Sequence, residues 1–500
     1  MPRCCNFSIC FFVALALFAW SDLRAEQYTF ITLAGQPGTT GSANGQGSAA
    51  QFNNPYGVAV DGSGNLFVAD SQNHTIRKIT PDGTVSLFAG SPGQTGSTDA
   101  QGSNARFNLP WGLAFASDGA LYVSEVGNHT IRRIETDGTV STVAGLAGVS
   151  GTTNAQGTNA RFWEPRAIAF DNAGNLYIAD SSNHVIRKMA PDTTVSTLAG
   201  QFAGYGYQEG TGTGAKFNYA CGLCVDPVTS DVFVSDTYNN VVRKIDSGGV
   251  TSLLAGQPGV EGTADGNGIN ATFHRMYTIT RDSSGYLYVL DSYNYAVRKI
   301  SPSLDVSTVA GLPTVTGYAD GSGSAARFSV FQGAAVDSNG NIYITDVFNN
   351  VVRKGNTTIA DAATIDQSPG RTGAQRQLDT SPQTATAWAW SISSKPNGSS
   401  AALSSTSARN PTFTPDVAGS YTFKLIASKT NGLSLTTVQL TSNPNTAPVA
   451  NAKGYSDNAA VPLSITLTAS DAENDTLSFS IVGSPAHGTI SGSPPNIRRV

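Results

Sequence analysis

The chain has 500 residues, 40% of them apolar and only 13% charged, with 53 glycines and a formal net charge of −5. That length exceeds what one core usually serves, so two or three domains are expected. Abundant glycine with few charges points to a turn-rich all-β protein. A net negative chain without a Lys/Arg run offers nucleic acid no field to bind.

Met1-Pro2-Arg3 followed by the apolar run Ile9 to Trp20 reads as a secretory signal peptide over residues 1–25. No later segment reaches the roughly 20 apolar residues of a membrane-spanning helix, so a secreted or cell-surface chain without membrane insertion is expected. Beyond that leader only Cys221 and Cys224 remain. Their CGLC spelling imitates a redox pair, but it falls on a predicted strand, where residues three apart stand about 10 Å from each other. Two buried, inert thiols are predicted.

Six segments align without gaps, from Asn65-Leu-Phe-Val-Ala-Asp70 to Asn341-Ile-Tyr-Ile-Thr-Asp346. Their closing acids are Asp70, Glu125, Asp180, Asp236, Asp291 and Asp346, spaced by 55 residues with one step of 56. Each repeat offers four short strands separated by turn residues, as in Gly57–Asp61, Leu66–Ala69, Thr75–Ile79 and Val85–Ala89. Four strands per repeat make one propeller blade, which is stable only when stacked on neighbours. An outer-strand ending Ala-Gly occurs six times, first at Gly35, ahead of any inner strand, while the last repeat stops at Asn356 without one. Residues 28–35 are therefore predicted to complete the final blade and leave no open edge.

The six-fold Asp-x-x-Asn-x-x-x-Arg spacing over residues 28–355 resembles the NHL-repeat family, in the long-loop version found in exported bacterial proteins. The resemblance implies a closed six-bladed β-propeller over residues 26–356. Members are mostly binding scaffolds, with a minority of enzymes such as peptide-amidating lyases, so the fold alone does not settle function.

Residues needed once per blade read as scaffold: Asn73 and Arg77 with their five equivalents, and the anchors Phe52, Phe107, Phe162, Phe217, Phe273 and Phe328. His74, His129 and His184 read as turn residues rather than zinc ligands, because equivalent positions in neighbouring blades stand about 10 Å or more apart. Asp265 and Asp320, in the long inter-blade segments, carry a weak calcium signature against plain turn chemistry. Positions that recur in place but not in identity are better site candidates. Tyr56, Trp111, Arg166, Cys221, Tyr277 and Gln332 precede the inner strands and should ring the channel mouth, with Trp163, Glu164, His274 and Arg275 nearby. From these, Tyr56, Trp111, Trp163, Arg166, His274, Arg275 and Tyr277 are taken as the ligand-binding set, the alternative being large side chains that plug the channel.

Beyond Asn356 the period stops. Residues 365–443, with Trp388-Ala-Trp390 and Phe413 to Leu425, resemble a polycystic-kidney-disease-type immunoglobulin-like domain. Residues 445–500 resemble part of a bacterial cadherin-like repeat, with Asp471, Glu473 and Asp475 as an acidic turn or calcium ligands; about 55 residues fall short of a whole sandwich. The reading is an all-β, six-bladed propeller with C-terminal β-sandwich modules. It serves as a non-catalytic extracellular scaffold for a protein, peptide or glycan, without a cofactor or metal. The alternatives are a propeller lyase or hydrolase at the channel mouth, with His274 and Arg275 as its acid/base and electrostatic groups, and a structural adhesin head. Deleting residues 28–35 is expected to abolish cooperative melting of the ring; a truncated chain that melts at the wild-type temperature would refute the closure.

Overall fold

Runs of β-branched and aromatic residues broken by Gly- and Asp-containing turns form strands from Tyr28 onward. The computed structural model describes residues 28–357 and, beyond them, 362–365, 370–373, 375–381, 387–429, 432–443, 449–450, 463–466, 469–470, 490–493 and 496–499. The signal-peptide segment and the Asp471, Glu473 and Asp475 cluster lie outside the described residues. The chain divides between Thr357 and Thr358 into two compact units.

The first unit is a ring of six antiparallel sheets. Blade 1 runs outward through Pro55–Val60, Leu66–Asp70, Thr75–Ile79 and Thr84–Gly90. The inner strands touch one another in sequence, and that of blade 6, Phe331–Val336, returns to that of blade 1. The predicted closure is present: Tyr28–Ala34 pairs with Val351–Thr357 as the outer strand of blade 6, Tyr28 opposite Thr357. Phe30 is fully buried there, edge-on to Phe328, above a Gly355 that has no room for a side chain. Four blades also gain an outermost two-residue strand from the inter-blade segment, such as Gly45–Gln46 on Thr84–Val85. The four-strand reading omitted it because two residues carry no alternation to detect.

Each blade is fixed by one buried node. Asp70 accepts the Asn53 N–H at 2.8 Å, Asn73 Nδ2 at 2.8 Å and Arg77 Nη1 at 2.9 Å. Arg77 also donates to the carbonyls of Gln51 and Ala43, and Asn73 to that of Gly41, so the node anchors the long connector at three points. All six acid–Arg pairs span 2.8–3.2 Å, and the guanidinium carbon lies 5.0–5.4 Å above the ring of the recurrent Phe. Burial pushes Asp70, Asp180, Asp236, Asp291 and Asp346 up to about 6, against the pull of these donors. Asp265 and Asp320 belong to the same design. Each accepts from the second amino group of its arginine, Arg298 at 2.8 Å and Arg353 at 3.0 Å, which places them as scaffold.

Neighbouring blades are joined by further polar bonds. His74, His129 and His184 occupy left-handed turn positions, as do Asn240 and Asn350. Their side chains accept backbone N–H groups from the next blade: Leu109 to His74 Nδ1 at 3.3 Å, Glu164 to His129 at 3.2 Å, Tyr219 to His184 at 3.0 Å, Arg275 to Asn240 at 2.9 Å and Asn54 to Asn350 at 3.0 Å. These histidines are therefore inter-blade acceptors as well as turn residues. An accepting imidazole must be neutral, and burial lowers all three histidine pKa values. Gly57, Gly112 and Gly333 lie so close to the neighbouring inner strand that a Cβ would fall on the carbonyl oxygens of Trp111, Arg166 and Tyr56. Cys221 and Cys224 are free and buried on the strand Ala220–Val225, and burial pushes both thiols up.

The second unit contains a four-stranded sheet, including Ala387–Ser394, Gly419–Lys429 and Gly432–Asn443, and a three-stranded sheet through Ala362–Ile365, Arg376–Ser381 and Thr412–Phe413. Leu378, Trp390, Phe413, Tyr421, Phe423 and Leu440 form its core. The buried Tyr421 hydroxyl donates back to the Val417 carbonyl at 2.8 Å, a bond typical of sandwich corners.

Two outcomes follow from the node and the acceptor histidines. Arg243→Met strands the fully buried Asp236 and is expected to cost about 3–5 kcal/mol in urea unfolding, with Asp236→Asn in the same chain recovering part of it. Replacing His74, His129 and His184 by Asn keeps the acceptor that blades 4 and 6 already use. Because the folded histidine pKa values lie below 6.5, the unfolded chain takes up the protons first. Wild type should therefore match the triple variant at pH 8 and fall behind it as pH drops through about 6.5. Parallel urea midpoints across that range would contradict the acceptor role.

Candidate functional site

The nodes also position the mouth of the channel. The carboxylate oxygen not used by arginine accepts a backbone N–H just ahead of each inner strand, including that of Trp163 at 2.7 Å and that of His274 at 2.8 Å. The next residue, Asn54, Leu109, Glu164, Tyr219 or Arg275, is held in the left-handed region by the inter-blade bond. Its backbone is fully specified, which leaves its side chain free to vary.

Along the rim these side chains meet in an unbroken file. Tyr56 and Trp111 have ring centroids 4.0 Å apart, and the Arg166 guanidinium sits 4.0 Å from Trp111 and 5.0 Å from Tyr219. Tyr219 stacks on Tyr238 at 5.1 Å with 8° between planes; Arg275 lies 5.3 Å from Tyr238 and 5.1 Å from Tyr293. Tyr293 then contacts Tyr277 at 6.2 Å and His274 at 5.2 Å. Rings and cations thus alternate along one arc from blade 1 to blade 5, concentrated on blades 3–5.

Of the residues proposed from the sequence, Tyr56, Trp111, Arg166, His274, Arg275 and Tyr277 fall in this file. Trp111, Tyr277 and Gln332 line a central cavity of about 280 Å³. Trp111 and Arg166 are nearly buried against each other, so they support the surface from beneath, and Cys221 is wholly enclosed. Trp163 stands apart from the stack and is 48% exposed. Tyr219, Tyr238 and Tyr293 were missed. Tyr238 and Tyr293 share a turn position with Gln72, Gly127, Ser182 and Phe348, so the test of place without identity, applied to the turns, would have found them.

Glu164 ties the centre of the file together, accepting from the Tyr219 hydroxyl at 2.6 Å and from Arg166 at 3.4 Å. Burial pushes its carboxyl up, but Tyr219, Arg166 and Ser182 outweigh burial and hold it below its ordinary value. Burial and the Glu164 bond push the Tyr219 phenol up despite Arg166. Glu164 is thus an anion and Tyr219 a neutral donor at pH 7. His274 Nε2 lies 3.4 Å from Glu261. The arrangement offers flat rings and oriented donors.

Residues 148–354 match the teneurin NHL domain family, and residues 52–79 and 107–134 match the NHL repeat. The chain is 29% identical over 337 residues to human NHL repeat-containing protein 2, covering 60% of this chain and 46% of that protein. It is 28% identical over 319 residues to the Arabidopsis thaliana chloroplastic protein Suppressor of quenching 1, covering 60% of this chain and 30% of that protein. The chain therefore spans less than half the length of these relatives. A solved structure of an auxiliary nutrient binding protein from Bacteroides thetaiotaomicron superposes with a TM-score of 0.51 at 14% identity, over 66% of this chain and 76% of that one. No helix among the described residues is long and apolar enough to cross a membrane. Six nodes, six sheets and a shared outer seam make residues 28–357 a six-bladed propeller with NHL repeats.

Proposed function

We propose that the propeller is a non-catalytic recognition module of a secreted or cell-surface protein, and that its ligand lies along the rim of blades 3–5. The observation that carries this reading is the uneven distribution of side chains on an even scaffold. Blades 3–5 carry Trp163 and Arg166, Tyr219 and Tyr238, and His274, Arg275 and Tyr293, and blade 6 adds Phe348 at the turn position, where blades 1 and 2 carry only Gln72 and Gly127. Exposed aromatic and arginine side chains on a rigid face are the usual anchors of a binding surface. The binding protein named among the solved folds supports such a use of the propeller. In this reading the ligand is a protein, a peptide or a glycan, and the C-terminal segments, an immunoglobulin-like module over residues 365–443 and a partial cadherin-like repeat over 445–500, form a stalk.

The test is a glycan and peptide array followed by substitution. Trp163→Ala and Tyr238→Ala remove side chains 48% and 43% exposed, so the melting temperature should hold. Capture of any ligand found should fall by roughly 30-fold or more. Gln72→Ala, at the turn position of Tyr238 on the opposite side of the ring, should change nothing. Undiminished capture by both aromatic variants would place the ligand elsewhere.

A further inference from the structure

Resting on that reading of the rim, we propose that the ligand is an acidic saccharide, with a uronate carboxylate taken by Arg275 and sugar rings laid on the neighbouring aromatic faces. Arg275 is unlike the arginines around it. The six node arginines, Arg133, Arg166 and Arg281 each have a carboxylate partner, and Arg106, Arg161 and Arg327 donate to backbone carbonyls instead. Among the described residues Arg275 has no carboxylate partner. It is half-buried, flanked by Tyr238 and Tyr293 at 5.3 and 5.1 Å, with its backbone pinned to Asn240. The two rings flank the guanidinium, but they satisfy none of its N–H donors. A planar fork held this way matches a carboxylate in two-point contact.

The rest of the surface argues for a sugar as the carrier of that carboxylate. Tyr219 and Tyr238 are stacked nearly parallel, and Tyr238 and Trp163 remain 43% and 48% exposed, so flat ring area faces solvent. Such faces suit the C–H side of a pyranose, while the partly exposed Glu164 carboxylate lies beside them as an acceptor for sugar hydroxyls. The rings and the fork follow one another along an arc, which fits an extended oligomer better than a compact molecule.

The experiment is calorimetry on the full chain with short oligogalacturonate and hyaluronate fragments, the methyl ester of the former, and an oligoglutamate peptide as probes. At least one uronate should bind roughly tenfold or more tighter than the neutral ester, with an affinity that falls as salt rises. Arg275→Gln should remove that advantage, bringing the affinity for the acid down to that for the ester. Arg275→Lys should restore only part, since it returns the charge without the fork. Equal binding of acid and ester, failure of both uronates to bind, or binding of the peptide in preference to the saccharides would each overturn the proposal. If Trp163→Ala and Tyr238→Ala still weaken whichever probe binds, the rim stands as the site and only the ligand class falls; if they do not, the rim falls as well.

Discussion

The propeller depends on a charge buried six times. An acidic side chain at the end of the second strand is taken out of water, and the structure repays that desolvation with an arginine, an asparagine and a backbone N–H placed around it. Such a pair gives little net stability relative to apolar residues of the same volume, yet it is costly to break. What it contributes is position. One group reaches from the blade to the connector, the preceding Phe and the rim, so each blade is assembled in a single arrangement.

This explains why the rim can be diverse. Main-chain conformation there is set by bonds to the carboxylate and to the His or Asn of the preceding blade, and neither depends on the side chain displayed. Blades 1, 2, 4 and 6 place Asn53, Asn108, Asn218 and Ser329 where blades 3 and 5 place Trp163 and His274. The scaffold tolerates both sets equally. A concentration of rings and cations on one side of the ring is therefore not required by folding.

The periodic features were legible in the sequence: blade number, the closing strand, the Asp, Asn and Arg of each repeat and the buried Phe anchors all repeat at one spacing. Contacts that couple one repeat to the next were not. His74 meets the N–H of Leu109 and Arg275 meets Tyr238, so their partners lie 35 and 37 residues away with no local pattern to reveal them. Asp265, flanked by glycines, read as a turn residue with a weak calcium signature, whereas its partner is Arg298, 33 residues on. Trp111 and Arg166 were marked by their variability, but only coordinates show that each covers the other.

The outer seam of blade 6 has a mechanical consequence. Tyr28 is paired with Thr357 and Ala34 with Val352, so the two ends of the ring meet at the same end of one antiparallel ladder. Tension applied between chain entering at Tyr28 and chain leaving at Thr357 would load the rungs one after another rather than all in shear. The propeller would then yield by unzipping from its seam at low force, with the other five blades still intact when the first rung parts.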